Sequence, residues 1–222
     1  MKPFVWSHSS LKQFEKCARH YYAQRVAKTI TFEQTEQQLY GDRFHEAAQK
    51  TLETGCDLPV EFSFARKAVA AVEAIRGERF AELKLGASVS LEPCGFFDPQ
   101  VWCRGIVDFL IVDASTRTAH LGDWKTGKDR YPDKEQLVLM SLLAFLKFPE
   151  VDRIKSALVF VVKGTMVPFQ MERSETEAHW QDYRERVARL AQAYASNVFN
   201  PTQNFTCAKY CPVSTCEFWG KR

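Results

Sequence analysis

Two stretches decide the fold: Gly105-Ile-Val-Asp-Phe-Leu-Ile-Val112 and Thr118-Ala-His-Leu-Gly-Asp-Trp-Lys125. Both are rich in β-branched and aromatic residues, and a short polar segment separates them, so they read as neighbouring strands over 101–112 and 118–125. In the first, apolar residues occupy both alternating faces, which implies cover on both sides. Asp108 inside it is an ionised group in a costly place unless it is paired or metal-bound. Asp123 and Lys125 lie two apart and therefore share a face. If the connecting loop is centred between Ser115 and Thr116, Asp108 falls directly opposite Asp123. Facing like charges destabilise a ladder, and a divalent cation with Lys125 beside it removes the conflict. On spacing alone the same residues also suit a strand-end aspartate and a solvated edge pair.

Outward from this pair, the chain reads as helices, strands, a helix, strands, a helix and a tail. An apolar stripe of Leu11, Phe14, Cys17 and Tyr21 predicts a first helix with Ser10 and Gln13 as its capping box. A second covers 38–53 and is closed by Gly55, and an alanine-rich third covers 64–80. A strand is predicted at 87–97, ahead of the central pair. A helix follows over 132–148, begun by Pro132. Ser156-Ala-Leu-Val-Phe-Val-Val162 is a continuous apolar run expected of a central strand buried on both faces. Residues 167–171 are its hairpin partner after Lys163-Gly164. Ser174 and Glu177 open a last helix reaching Asn197, and 200–222 is a cysteine-bearing tail. The order predicts an α/β or α+β sandwich with a mixed sheet. We read it as one domain over 1–222: a helical part (1–86), a sheet core (87–172) and a C-terminal helix with its tail (173–222).

The composition bounds the function. The 222 residues carry 30 Lys and Arg against 27 Asp and Glu, a net +3, so no broad basic surface announces a nucleic-acid partner. No apolar run approaches the length of a spanning helix, and the N-terminus lacks a signal-peptide core, so a cytoplasmic location is expected. Seven cysteines in a reducing compartment do not suggest a disulfide framework. The carboxylate cluster suits phosphodiester hydrolysis. Two carboxylates hold Mg²⁺ or Mn²⁺ through hard oxygens, the cation activates a water, and Lys125 positions that water or offsets developing charge.

Gly105-x-x-Asp108, then Gly122-Asp123-Trp124-Lys125-Thr126-Gly127-Lys128 and Gln136, resembles the PD-(D/E)XK nuclease superfamily. The branch it is most similar to is that of RecB-type exonucleases, with the four-cysteine CRISPR-associated nucleases and phage relatives. Gly41-Asp-Arg-Phe-His45 resembles the G-x-x-x-H motif of that branch. Ser9 to Tyr22 resembles its first helix and the cysteine-rich tail its C-terminal end. The resemblance implies a restriction-endonuclease-like αβββαβ core. It implies Asp108, Asp123, His45 and the Trp124 carbonyl as metal ligands, Lys125 as the catalytic lysine and Gln136 as its orienting partner. The side chain of Trp124, between two charges on a strand, is expected in the core. Glu82 is a candidate match to an acidic residue that relatives carry before the first strand. Where relatives often carry Tyr four residues after the Gln, this chain has Met140. Lys128 and Arg130 could contact phosphate, or form a solvated loop.

Cys207-x3-Cys211-Pro-x3-Cys216 is a compact cluster. In the resembling nucleases one N-terminal and three C-terminal cysteines hold a [4Fe–4S] cluster, which implies Cys17, Cys207, Cys211 and Cys216 here. The spacings depart from those of the relatives, and zinc or unligated thiols remain alternatives. Cys56, Cys94 and Cys103 read as plain core or surface residues. Basic and aromatic residues along the first helix, from Phe14 to Lys28, could contact DNA, or form an aromatic core face with a charged outer face. Arg184, Arg186 and Arg189 of the last helix, with acidic neighbours, are expected to be solvated. The implied activity is a metal-dependent deoxyribonuclease acting from DNA ends, with single-stranded DNA or the frayed ends of duplexes favoured, in recombination, repair or replication, in a host or a phage. A non-catalytic DNA-binding or assembly module on the same fold is the alternative, and a sequence-specific endonuclease would need recognition insertions not evident here.

Overall fold

A computed structural model describes residues 4–31, 33–127 and 132–221. The chain forms two compact units. One runs from Gln34 to Trp180, and the other joins Phe4–Glu33 to the segment from Gln181 onward.

The second unit begins with α1 (His8–Lys16) and α2 (Ala18–Tyr21), which continues as a π-helical turn to Val26. The capping box lies one turn earlier than expected. Ser7 accepts from the Ser10 amide, while Ser10 Oγ accepts from the Ser7 amide at 2.8 Å. The predicted single helix is broken at Cys17, whose backbone is extended. Here the aromatic residues of the first helix form a core. Tyr21 is buried, stacks with Phe199 and shares a 3.0 Å hydrogen bond between hydroxyls with Tyr194. The core-face reading of this helix therefore holds for Phe14, Tyr21 and Tyr22. Arg186 corrects the expectation of a solvated last helix. Its side chain is only 15% exposed and grips Glu15 through two bonds of 2.7 and 2.8 Å.

The first unit is built on α3 (Glu36–Thr54), α4 (Arg66–Glu73) and a six-stranded sheet. The strands are β1 (Glu78–Ala87), β2 (Pro93–Cys94), β3 (Cys103–Asp113), β4 (Thr118–Lys125), β5 (Arg153–Phe160) and β6 (Thr165–Glu172). They lie in the order β2-β1-β3-β4-β5-β6. Only β4 and β5 are parallel, a pairing that demands a long crossover; α5 (Glu135–Lys147) supplies it. α5 carries apolar residues nearly all round, with Leu137, Leu139, Leu142 and Phe145 all buried, as expected of a helix packed into a core. Phe44, Ala48, Leu52, Phe62 and Val69 from the helices pack on Phe109, Ile111 and Trp124 of the sheet. The alternate residues Leu110, Leu121 and Leu158 are buried as well. The mixed α/β class and the flanking helices are as the sequence predicts.

Four predicted features are corrected. The alanine-rich helix ends at Glu73 and does not reach Phe80, which lies in β1. Gly77 explains the change: its φ of 139° is open to glycine, and a Cβ there would sit 2.5 Å from the Val112 carbonyl oxygen. The strand expected at 87–97 shrinks to the two residues of β2. β5 is next to the edge rather than central, and Arg153 and Lys155 on its second face are exposed. At the last helix the predicted box at Ser174 and Glu177 is replaced by one at Glu172 and Glu175. It opens a 3-10 turn ahead of α6 (Thr176–Ser196).

Candidate active site

The site is assembled where β3 and β4 part. Their ladder runs from Asp113–Thr118 to Phe109–Gly122 and stops. The next rung would pair Asp108 with Asp123, in the register the loop reading predicts. Instead of a backbone carbonyl, Asp108 Oδ2 accepts the Trp124 amide at 2.5 Å. Gly122 is required just below this fork, because a Cβ would lie 2.0 Å from the Phe109 ring. Phe109 in turn packs on Trp124, whose side chain is in the core as expected.

On the other side of β3, Ala81 pairs with Phe109 and Leu83 with Val107, which sets Glu82 opposite Asp108. Glu82 makes no ladder pair and adopts a φ of 47°, a left-handed conformation that costs a non-glycine residue on the order of 1–3 kcal/mol. Three carboxylates on adjacent strands, Glu82, Asp108 and Asp123, therefore form one row across the sheet. The sequence reading named Glu82 only as a candidate, because it placed this segment outside a strand. The alternation of apolar Ala81, Leu83, Leu85 and Ala87 with Glu82 and Lys84 was the available signal.

α3 brings His45 to this row. Thr35 and Gln38 cap its start reciprocally and Gly55 ends it in a left-handed turn. Its Phe44, Ala48 and Leu52 are buried, and His45 sits at the margin of that face. His45 Nδ1 lies 3.3 Å from Glu82 Oε1 and 3.4 Å from Asp108 Oδ2. Gly41, one turn earlier, lets the helix pass close to the end of β4: a Cβ there would be 3.3 Å from Thr126 Oγ1. The G-x-x-x-H spacing thus combines close approach with an imidazole one turn on.

α5 brings Gln136 from the other direction. Its side-chain amide donates to Asp123 Oδ1, and its carbonyl oxygen accepts from Lys125 Nζ at 3.1 Å. Lys125 Nζ also lies 2.6 Å from Asp123 Oδ2 as an ion pair. Among the described residues the buried Asp123 Oδ2 has no partner besides this ammonium. Met140, one turn after Gln136, is buried against Gly105. Lys128 and Arg130 lie outside the described residues.

The charged groups of the row act strongly on one another. Burial and the neighbouring Asp108 charge push the Asp123 carboxyl up to about 6, against the pull of Lys125. Burial pulls the His45 imidazole down, yet hydrogen bonds to Asp108 and Glu82 outweigh it and lift its pKa to about 10. Donor atoms of His45, Glu82 and Asp108 all lie within 4.8 Å of one another. This set of hard oxygens with one imidazole fits a divalent cation.

In the other unit, Cys17, Cys207, Cys211 and Cys216 are all free thiols. Burial raises the Cys211 thiol, a backbone hydrogen bond at Val213 opposes it, and the charges of Cys207, Cys17 and Cys216 would raise it further. The Thr202 amide donates to Cys17 Sγ at 3.5 Å and the Asn204 amide to Cys207 Sγ at 3.4 Å. Such donors suit thiolates.

The sequence profile of the PD-(D/E)XK nuclease superfamily matches residues 5–216, and the chain belongs to that superfamily. Its members use divalent metals, in keeping with the His-Glu-Asp group. No curated protein matches the chain. Among solved structures, it is similar to SSO0001 (TM-score 0.49, 14% identity, 96% of this chain and 86% of that one). It is also similar to a protein from Eubacterium rectale named as an exonuclease candidate (TM-score 0.53, 12% identity, with the same 96% and 86% coverage). The second likeness is one of fold. No helix of the described residues is long and apolar enough to cross a membrane.

Proposed function

We propose that the chain is a metal-dependent deoxyribonuclease that hydrolyses phosphodiester bonds from DNA ends. The observation that carries this reading is the row of Glu82, Asp108 and Asp123 across three strands, closed by His45 on one side and Lys125 on the other. In this reading His45, Glu82, Asp108, Asp123 and the Trp124 carbonyl hold Mg²⁺ or Mn²⁺. When bound, the cation polarises a phosphoryl oxygen and acidifies a water. Lys125 places its ammonium where negative charge develops on the phosphate and orients the attacking water. Gln136 fixes Lys125 and Asp123 to each other through its amide. Asp108 is held in place by the Trp124 amide, so one ligand is aligned before the metal arrives. The name of the Eubacterium rectale protein supports an exonucleolytic mode.

The test is degradation of linear DNA with Mn²⁺ or Mg²⁺, compared with closed circular DNA. Loss of cutting in Lys125→Ala is expected, and a parent inert on every DNA, or a variant as active as the parent, overturns the reading. For the second unit we infer a [4Fe–4S] cluster on Cys17, Cys207, Cys211 and Cys216, which would tie the tail to the first helix. Anaerobic purification should yield brown protein with broad visible absorbance. Zinc in place of iron, or neither, would overturn it.

A further inference from the structure

Phe97 is 77% exposed, at the tip of the loop between β2 and β3. An isolated exposed aromatic is unremarkable, but this one is mounted. Phe96 meets it edge-on at 5.0 Å, and the Arg104 guanidinium lies 4.6 Å from the Phe96 ring centre and 5.8 Å from that of Phe97. Arg104 also donates to the Phe96 carbonyl at 3.2 Å. The loop is fixed by the Asp98 amide on the Gly95 carbonyl and the Val101 amide on the Asp98 carbonyl. From across β1, Lys84 Nζ reaches within 5.9 Å of the Phe97 ring centre.

The register links this platform to the active site. Glu82 lies opposite Asp108, Lys84 pairs with Ile106, and Gly86 pairs with Arg104. The three rungs follow one another along the same two strands. Ile106 is exposed between them, and one concavity lined by His45, Glu82 and Lys84 joins the first rung to the second. Asp108 and Arg104 are four positions apart on the strand, about 13 Å, or about four nucleotides of a stacked strand. The cup at the metal group is acidic, with Asp42, Glu46 and Glu82. The cations begin at Lys84, and beyond them comes an aromatic face.

We propose that Lys84, Arg104 and Phe97 form a track for single-stranded DNA, with Phe97 stacking a base a few nucleotides from the scissile phosphate. Cations along a groove and an exposed, braced ring are what sequence-independent binding of single strands uses. The inference rests on the nuclease reading for its substrate and names the residues that would hold the strand.

Binding separates the two claims. Fluorescence anisotropy with a labelled thymidine oligonucleotide in Ca²⁺ measures the track without turnover, and cutting of DNA by the parent is measured apart. Phe97→Ala should weaken binding about tenfold or more, Phe97→Trp should restore it, and Phe97→Leu should not. Arg104→Ala and Lys84→Ala should each lower the salt dependence of binding by roughly one phosphate contact. An oligonucleotide abasic at the stacked position should lose its sensitivity to Phe97→Ala. Equal binding by parent and Phe97→Ala, full rescue by Leu, or a parent that binds duplex and ignores single strands would each overturn the track, even if the parent cuts DNA. The exposure of Phe97 makes misfolding no explanation for a loss, and an unchanged Tm would verify this.

Discussion

Glu82 and Asp108 face each other across β1 and β3 at the one rung where that ladder makes no pair, and His45 Nδ1 sits within 3.4 Å of both. Two carboxylates at facing positions repel, and the left-handed backbone at Glu82 adds strain. The imidazole between them, within reach of both carboxylates, offsets part of that repulsion.

Cation binding should therefore be visible as stability. Adding Mn²⁺ at a hundredfold excess over its dissociation constant should raise stability by about 2.7 kcal/mol and Tm by several degrees. Glu82→Ala and His45→Ala should shrink the shift in differential scanning fluorimetry. An undiminished shift in both would show that the cation binds elsewhere.

Lys125→Ala should separate binding from chemistry. Its removal should cut the rate by at least about a hundredfold while the Mn²⁺-induced Tm shift persists. Gln136→Ala should give a smaller loss, because it acts by holding Lys125 and Asp123. Single-turnover rates on linear DNA check the order, and a larger defect in Gln136→Ala than in Lys125→Ala would reverse the assigned roles.

Two glycines beside the site should respond differently to alanine. At Gly122 the new Cβ meets the Phe109 ring at 2.0 Å, and that ring is wedged against Trp124. At Gly105 it meets the flexible end of Met140. Gly122→Ala should cost several kcal/mol and Gly105→Ala about 1–3 kcal/mol, the usual range for overpacking. Urea unfolding measures both, and equal costs would contradict the packing at the fork.

In the second unit, Glu15 and Arg186 should be coupled. The pair is bidentate and mostly shielded from water, so a double-mutant cycle to Ala should give about 1–3 kcal/mol of interaction energy. A value near zero would place the pair among ordinary surface bridges.

Much of this was legible in the chain. β4 has the limits its composition predicts, and the facing of Asp108 and Asp123 followed from centring one loop. His45 and Gln136 arrive beside these carboxylates, where the resemblance placed them. Glu82 was blurred because propensity extended an alanine-rich helix through Gly77. The reason for that glycine, close approach to the Val112 carbonyl, is a tertiary contact. Arg186 was misread for a similar cause. Local charge suggested solvent, while its partner Glu15 lies 171 residues away. The break at Cys17 interrupts a stripe whose helical period is intact.

In the proposed reading, the Asp108–Trp124 hydrogen bond makes one side chain serve both the metal and the backbone. Truncating Asp108 to Ala would strip the buried Trp124 amide of its acceptor, a loss of about 1–3 kcal/mol, and loosen the strand that carries Asp123 and Lys125. An inactive Asp108→Ala protein would thus be dead for two reasons at once. Asp108→Asn keeps an oxygen for the amide and removes only the charge, so it is the substitution from which a silent, intact protein for trapping bound DNA should be made.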